Sequence, residues 1–171
     1  KQSDESYQQW IVENENWDAE AIKAEIAAFD YQPVISILMP VYNVEEKWLE
    51  KCIESVQNQF YPNWELCMAD DHSTDESVRP LLEKYAAQDS RIKIVFRSEN
   101  GHISKATNSA LEIATGEFVA LLDNDDELAP IALYEVAKRL NENANLDLIY
   151  SDEDKIDMTG KRFDPAFKPD W

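Results

Sequence analysis

Positive charge is scarce in this chain. Its 171 residues include 16 lysines and arginines against 35 aspartates and glutamates, which gives a formal net charge of −19 at pH 7. Nucleic acids and anionic lipids are bound through basic surfaces, so this balance argues against both kinds of partner. It leaves room for an anionic phosphate ligand, provided that a metal ion bridges the ligand and the protein.

Cysteines and long apolar runs are also few. Cys52 and Cys67 both lie in apolar periodic segments, so we expect buried thiols, no disulfide and a reducing compartment. No apolar run reaches the roughly 18 residues that suggest a transmembrane helix, and no signal peptide precedes the predicted fold. We therefore expect a cytoplasmic location, with any attachment to the inner face of the membrane supplied by the rest of a longer protein. The start at Lys1 and the stop at Trp171, without a helix stop or a polar tail, favour an excised segment of such a protein.

Residues 1–32 differ in pattern from the rest of the chain. Their apolar residues recur at helical spacing and predict two helices, the second capped by Asn16 or Asp18. The apolar positions are Tyr7, Trp10, Ile11, Ile22, Ile26 and Phe29. Pro33 marks the boundary between this helical extension (1–32) and a second region (33–171).

From Pro33 onward, strand and helix patterns alternate. The predicted strands are residues 34–39, 64–69, 92–96, 118–122 and 146–150, and helices are predicted between them near 49–59, 78–85, 104–114 and 131–140. Parallel strands need crossover connections, and helices then cover both faces of the sheet. The order predicts an α/β fold with a mostly parallel, twisted sheet.

Polar residues follow every predicted strand. They occupy positions 40–43, 70–75, 100–108, 123–126 and 151–155. The carboxyl ends of parallel strands lie at one edge of the sheet, which is where open α/β sheets bind ligands. These segments therefore predict one site.

The acidic segment after the fourth strand has the most chemical content. Asp123 and Asp125 offer the hard oxygen ligands that suit Mg²⁺ or Mn²⁺, and such an ion is commonly shared between one or two carboxylates and substrate phosphates. The alternative is a solvated turn that caps the next helix, since Asp and Asn favour both positions.

Other polar residues at this edge allow two interpretations each. Asp70 and Asp71 can accept hydrogen bonds from a base or a ribose, or they can form a turn and cap the helix that begins near Ser77. Lys105 lies in the first turn of a helix, where a cation opposes the dipole, so it indicates an anionic neighbour unless it is simply exposed. His72 and His102 have no partner at metal-ligand spacing and are interpreted as polar loop residues.

Four motifs resemble those of family 2 glycosyltransferases in order and spacing. They are Ile35-Ser36-Ile37-Leu38-Met39-Pro40-Val41-Tyr42-Asn43, Ala69-Asp70-Asp71-His72-Ser73-Thr74-Asp75, Asn100-Gly101-(x)3-Lys105-Ala106-(x)-Asn108 and Leu122-Asp123-Asn124-Asp125-Asp126. The resemblance covers roughly residues 33–171 and implies the GT-A fold, a nucleotide-sugar donor and transfer with inversion. The helical lead-in and the segment from Tyr150 to Trp171 resemble the subgroup of O-antigen and rhamnose-containing polysaccharides.

The resemblance also implies roles for individual residues. The nucleotide-sugar site would comprise Pro40, Val41, Tyr42, Asn43, Asp70, Asp71, Lys105, Asp123 and Asn124. Asp123 and Asp125, which match the family's DXD motif, would bind Mn²⁺ or Mg²⁺. The donor would be a dTDP- or UDP-sugar, with a deoxyhexose such as rhamnose favoured, and the acceptor a saccharide or lipid-linked saccharide. Family members place the catalytic base after the fifth strand, so the base is expected beyond Trp171 and the chain is expected to be a donor-binding part with little activity alone.

Two other functions remain open at this point. A Mg²⁺-dependent aspartate phosphotransfer domain would need its key aspartate after the first strand, where this chain has Pro40-Val41-Tyr42-Asn43. A non-catalytic, glycosyltransferase-like binding module is compatible with the same motifs.

Overall fold

The computed structural model describes residues 4–169. Two helices precede a region in which strands and helices alternate, and a two-stranded hairpin follows. The elements are α1 (Asp4–Asn14), α2 (Ala19–Ala27), β1 (Ile35–Val41), α3 (Glu46–Gln57), β2 (Trp64–Asp70), α4 (Val78–Gln88), β3 (Ile92–Phe96), α5 (His102–Glu112), β4 (Phe118–Leu121), α6 (Ala132–Glu142), β5 (Glu153–Ile156) and β6 (Arg162–Ala166).

The main sheet has four parallel strands in the order β3-β2-β1-β4. Ile37 of β1 lies between Leu66 of β2 and Ala120 of β4. The chain moves from β1 outward to β2 and β3 and then returns to the other side of β1. The direction of winding therefore changes between β1 and β4, and the carboxyl ends of these two strands flank a crevice.

Helices cover both faces of this sheet, as predicted. On one face, buried residues of α2, α3, α4 and α6 form the larger core with Ile37 and Met39 of β1. On the other face, Ala106 and Ala110 of α5 pack against Leu38 and neighbouring strand residues. Small side chains on α5 bring its backbone close to the sheet. The first turn of this helix lies near the carboxyl edge, because α5 follows the carboxyl end of β3. Cys52 and Cys67 are buried free thiols, which confirms the prediction that both side chains are buried.

A buried carboxylate joins the strands at the opposite, amino-terminal edge. Glu65 accepts hydrogen bonds from Ser36 Oγ at 2.7 Å and from Lys93 Nζ at 2.6 Å. The backbone N–H and the hydroxyl of Thr115 donate to the same carboxylate. Burial raises the pKa of Glu65, but these hydrogen bonds, led by Lys93, outweigh it and lower the pKa to about 2.

The predicted helices of the amino-terminal region are present, and they contact different parts of the molecule. Asp18, rather than Asn16, caps α2, because its carboxylate accepts from the backbone N–H groups of Glu20 and Ala21 at 3.1 Å. Helix α2 adds Ile22 and Ile26 to the larger core.

Helix α1 instead packs on the β5–β6 hairpin. The hydroxyl of Tyr7 donates to Asp154 Oδ2 at 2.5 Å. Arg162 donates to the carboxylates of Glu15 and Asp154, so its guanidinium joins the end of the α1 segment to both strands of the hairpin. Among the helices of residues 4–169, none is both long and apolar enough to cross a membrane.

The prediction of a fifth strand at residues 146–150 is wrong. The structure has no strand there, and Leu148 is 80% exposed. The next strand is β5, which contains part of the polar segment expected to follow the predicted strand. It pairs antiparallel with β6 in a separate sheet. A short apolar run indicates burial, but a strand also needs a neighbour that pairs with its backbone. Within residues 4–169, no strand pairs with residues 146–150.

Candidate functional site

A cavity of about 380 Å³ opens at the carboxyl edge of the sheet, beside the crevice between β1 and β4. Its walls come from the ends of β1 and β2, the start of α5 and the turn after β4. The lining residues are Pro40, Val41, Tyr42, Asp71, Asn100, His102, Ile103, Ala106, Asp123, Asn124 and Asp125. This volume lies within the range of small-molecule sites.

The end of β1 supplies one wall. Pro40, Val41 and Tyr42 line the cavity, and Tyr42 as a residue is 47% exposed. Asn124 Nδ2 donates to the carbonyl oxygen of Pro40 at 2.8 Å, which ties the turn after β4 to the end of β1.

Asn43 is not among the residues that line the cavity. It has a positive φ of 49°, and its side-chain oxygen accepts from the backbone N–H groups of Thr74 and Asp75 at 2.8 and 3.0 Å. Asn43 therefore holds the loop after β2 against the end of β1, and it shapes the site indirectly.

The neighbouring aspartates at the end of β2 have different surroundings. Asp71 lines the cavity although only 2% of its surface is exposed. Its carboxylate accepts from Arg97 Nε at 2.7 Å and from the backbone N–H of Gly101 at 2.9 Å. Asp70 is not a lining residue, and its carboxylate accepts from the backbone N–H of Ser73 at 3.1 Å, a turn contact.

Neither of these aspartates caps the helix that follows. Asp75 accepts from the backbone N–H of Ser77 at 2.9 Å and from its hydroxyl at 2.8 Å, and these two bonds lower the pKa of Asp75. Asp70 therefore forms a turn, as one of the two interpretations predicted. Neither Asp70 nor Asp71 caps the helix that begins near Ser77.

The connection from β3 to α5 forms a further wall; residues 100–108 were predicted to share this edge, but Asn100, His102 and Ile103 were not predicted as individual binding residues. Asn100 donates from Nδ2 to the backbone oxygen of Asp71 at 3.2 Å and accepts from the backbone N–H of His102 at 3.2 Å. His102 has a φ of 60° and lines the cavity together with Ile103, which is 60% exposed. Lys105 is exposed and does not line the cavity. The sequence feature that indicates a role for these residues is their position between a predicted strand and a predicted helix, at the same edge of the sheet as the other site residues.

The turn after β4 presents carboxylates to the cavity. The Asp123 carbonyl oxygen accepts from the backbone N–H of Asp126 at 3.2 Å and from the Cys52 thiol at 3.3 Å, which fixes the turn through its backbone. Partial desolvation, followed by the charges of Asp125 and Asp123, raises the pKa of Asp126. The turn is therefore a concentrated source of negative charge.

The donor set of this turn fits a divalent cation that a ligand helps to coordinate. Asp123 and Asp125 both line the cavity, and no group among residues 4–169 donates a hydrogen bond to either carboxylate. Within the same residues, no group of three or more histidine, cysteine or acidic side chains is arranged to hold a metal ion. A hard cation at these two carboxylates would need further oxygen ligands from a substrate or from water, as Mg²⁺ commonly does.

Most of the residues predicted for the site come together in this cavity, and three do not. Pro40, Val41, Tyr42, Asp71, Asp123, Asn124 and Asp125 line it, whereas Asn43, Asp70 and Lys105 lie outside its lining. The backbone oxygen of Lys105 accepts a hydrogen bond from Arg97 Nη1 at 3.3 Å, and Arg97 in turn donates to Asp71, which lines the cavity.

Comparison with known proteins gives a family match over most of the chain. A sequence model of the family described as "Glycosyl transferase family 2" matches residues 36–164. The O-antigen biosynthesis protein RfbC of Myxococcus xanthus is 36% identical over 165 residues, which are 96% of this chain and 13% of RfbC.

Solved structures show the same fold. S. aureus TarS 1–349 in complex with UDP-GlcNAc superposes with a TM-score of 0.59 and 32% identity, over 64% of this chain and 32% of that one. The mannosyltransferase PcManGT of Pyrobaculum calidifontis, in complex with GDP-Man and Mn²⁺, superposes with a TM-score of 0.58 and 25% identity, over 72% of this chain and 44% of that one. The chain thus spans less than half the length of each of these three relatives.

Proposed function

The chain belongs to glycosyl transferase family 2, and on that premise we propose that its cavity binds a nucleoside-diphosphate sugar together with a divalent cation. The observation that carries the proposal is the meeting of three carboxylates in one cavity. Asp71 is buried beside an arginine, whereas Asp123 and Asp125 have no hydrogen-bond donor among residues 4–169. The carboxylate of Asp71 is thus held in place to accept a hydrogen bond from a neutral N–H group of the ligand. The carboxylates of Asp123 and Asp125 remain available for a cation.

The nucleoside would lie between the end of β1 and the start of α5. We propose that Asp71, rather than Asp70, accepts a hydrogen bond from an N–H of the base, because only Asp71 lines the cavity. The exposed faces of Tyr42 and Ile103 offer apolar surface for the base and the ribose.

The diphosphate would lie against the turn after β4. Asp125 and Asp123 would hold Mn²⁺ or Mg²⁺, which when bound neutralises the charge that builds up on the departing nucleoside diphosphate. A chain with a net charge of −19 repels an anionic donor, and a bridging cation offsets this repulsion locally.

Transfer would be a single displacement at the anomeric carbon, which inverts its configuration. The acceptor hydroxyl then needs a general base. We propose that this base lies outside residues 1–171, because the cavity's three carboxylates already have tasks in base and metal binding and this chain covers only 13% of RfbC and 44% of the mannosyltransferase. The whole protein would transfer a sugar, from a dTDP- or UDP-linked donor, to a saccharide or lipid-linked saccharide in the synthesis of a cell-surface polysaccharide.

Titration calorimetry of residues 1–171 with UDP, dTDP and GDP, each with and without Mn²⁺, tests the donor site. We expect Mn²⁺-dependent binding of one nucleotide, and a loss of that binding of at least about tenfold in Asp125→Ala. Glu127→Ala is the matched control. It also removes a carboxylate from the segment after β4, but Glu127 does not line the cavity. If no nucleotide binds with Mn²⁺, the chain is better described as a glycosyltransferase-like module that does not hold a donor.

A further inference from the structure

Arg97, immediately after β3, contacts two elements that form the cavity without lining the cavity itself. Its Nε donates to Asp71 Oδ1 at 2.7 Å, and its Nη1 donates to Ser109 Oγ at 2.6 Å. The side chain of Arg97 is only 15% exposed, and the side chain of Asp71 is only 3% exposed. The guanidinium therefore links the end of β2 to α5 in a largely desolvated setting.

The hydrogen bonds of Asp71 are distributed unevenly over its two oxygens. Oδ1 accepts from Arg97 Nε and from the backbone N–H of Gly101, whereas Oδ2 shares only the Gly101 donor, at 3.1 Å. An ionised carboxylate has about four acceptor sites. Oδ2 is thus more available than Oδ1 to accept a further hydrogen bond. The contact with Arg97 determines that Oδ1, and not Oδ2, accepts the hydrogen bond from the guanidinium.

Charge gives Arg97 a second effect on the same carboxylate. A carboxylate that is almost entirely buried is costly to keep ionised without a partner. The cavity also contains Asp123 and Asp125, and an anionic ligand would add further negative charge. Arg97 supplies a positive charge 2.7 Å from this carboxylate and so offsets part of that negative charge.

The loop that faces Asp71 is packed tightly around the same guanidinium. A Cβ added at Gly101 would lie 2.6 Å from Arg97 Nη2 and 2.6 Å from Lys105 Cδ. Since Asn100, His102 and Ile103 line the cavity on either side of Gly101, the position of Arg97 also determines the position of this wall.

We propose that Arg97 is a positioning residue that determines base affinity and base discrimination by orienting Asp71 and the loop at residues 100–103, without contacting the nucleotide. This inference rests on the proposed donor site. Lysine is not an adequate substitute, because a single ammonium group cannot bridge Asp71 and Ser109 as the guanidinium fork does.

The test compares four ligands on Arg97→Lys and on the wild-type chain by titration calorimetry in Mn²⁺. UDP and dTDP carry a base with an N3–H donor, CDP carries a base without one, and inorganic pyrophosphate carries none. We expect Arg97→Lys to weaken UDP or dTDP binding about tenfold, to bring their affinity close to that of CDP, and to leave pyrophosphate binding within about twofold.

A double-mutant cycle with Asp71→Asn separates positioning from a general loss of structure. In the Asp71→Asn background, Arg97→Lys should cost little further affinity for UDP or dTDP, because the carboxylate that it orients is gone. Ser109→Ala, which removes the anchor on α5 and leaves the ion pair, is a second and milder variant for the same measurement. Arg79→Lys is the control, since Arg79 pairs with Glu83 at the surface.

Equal losses for UDP and pyrophosphate, or additive losses in the cycle, would overturn the role of Arg97 while leaving the donor site in place. A wild-type chain that binds none of UDP, dTDP and GDP in Mn²⁺ would instead overturn the proposed function and this inference with it.

Discussion

Asp70 and Asp71 are chemically identical neighbours with different surroundings. Asp71 is held by Arg97 and Gly101 and lines the cavity, whereas Asp70 accepts from a backbone N–H in its own turn. Consecutive side chains at a strand end point in different directions. The sequence therefore located the pair but could not determine which member faces the ligand.

This difference leads to a prediction for paired substitutions. Asp71→Asn removes the charge opposite Arg97 and replaces one acceptor by a donor, so we expect nucleotide affinity in Mn²⁺ to fall at least about tenfold. Asp70→Asn keeps an acceptor for Ser73 and should change this affinity by less than about threefold. Titration calorimetry with UDP and dTDP measures both.

The control for this pair is the thermal unfolding midpoint of each variant. Similar affinity losses for the two variants, with unfolding midpoints unchanged, would mean that the cavity wall does not distinguish the two aspartates.

At the scale of elements, the β5–β6 hairpin is the clearest departure from the predicted fold. It forms its own two-stranded sheet, and α1 packs on it through Tyr7 and Arg162. A two-stranded hairpin is marginal without packing against another element. The amino-terminal helix and the hairpin therefore stabilise each other, although more than 130 residues separate them in the sequence.

The contact between α1 and the hairpin depends on Arg162. Arg162→Met removes the ion pairs to Glu15 and Asp154 and leaves both carboxylates without this partner. We expect faster amide hydrogen exchange in α1 and in β5–β6 together, with exchange in β1 and β2 unchanged. Hydrogen exchange read out by mass spectrometry measures this.

The matched control is Lys155→Met, which removes an exposed pair with Asp164 in the same hairpin. Faster exchange in the hairpin alone, with α1 as protected as in the wild type, would contradict the coupling of the two elements.

At the scale of the whole molecule, stability in acid should depend on Glu65. The pKa of this buried carboxylate is lowered to about 2 in the folded chain, below its ordinary value near 4.5. The unfolded state therefore binds more protons in this range, so the contribution of Glu65 is complete above about pH 4.5 and is lost as the pH falls toward 2.

Glu65→Gln tests this contribution. It leaves Lys93 without its charged partner, so we expect the free energy of unfolding at pH 7 to fall by about 3 kcal/mol. Its decrease between pH 4.5 and 2 should also be shallower than in the wild type. Urea unfolding at several pH values measures both quantities, with the exposed Glu99→Gln as the control. Parallel pH profiles for wild type and Glu65→Gln would contradict the assignment.

Periodicity alone was sufficient for the parallel α/β architecture, because each buried strand and each amphipathic helix repeats its pattern over several residues. The family resemblance was confirmed by the match over residues 36–164. Both results depend on local order and spacing, which a single sequence contains. The same local information located the acidic turn after β4, since Asp123 and Asp125 follow an apolar strand directly.

The tertiary structure decided which residues share a cavity and which only support it. Asn43 and Asp70 hold loops, Asn100 and His102 form a wall, and Arg97 reaches Asp71 from the next strand. Residues 146–150 also form no strand, because no strand of the described part of the chain pairs with their backbone. These outcomes depend on side-chain directions and on contacts between residues distant in sequence, and neither is encoded in a local pattern.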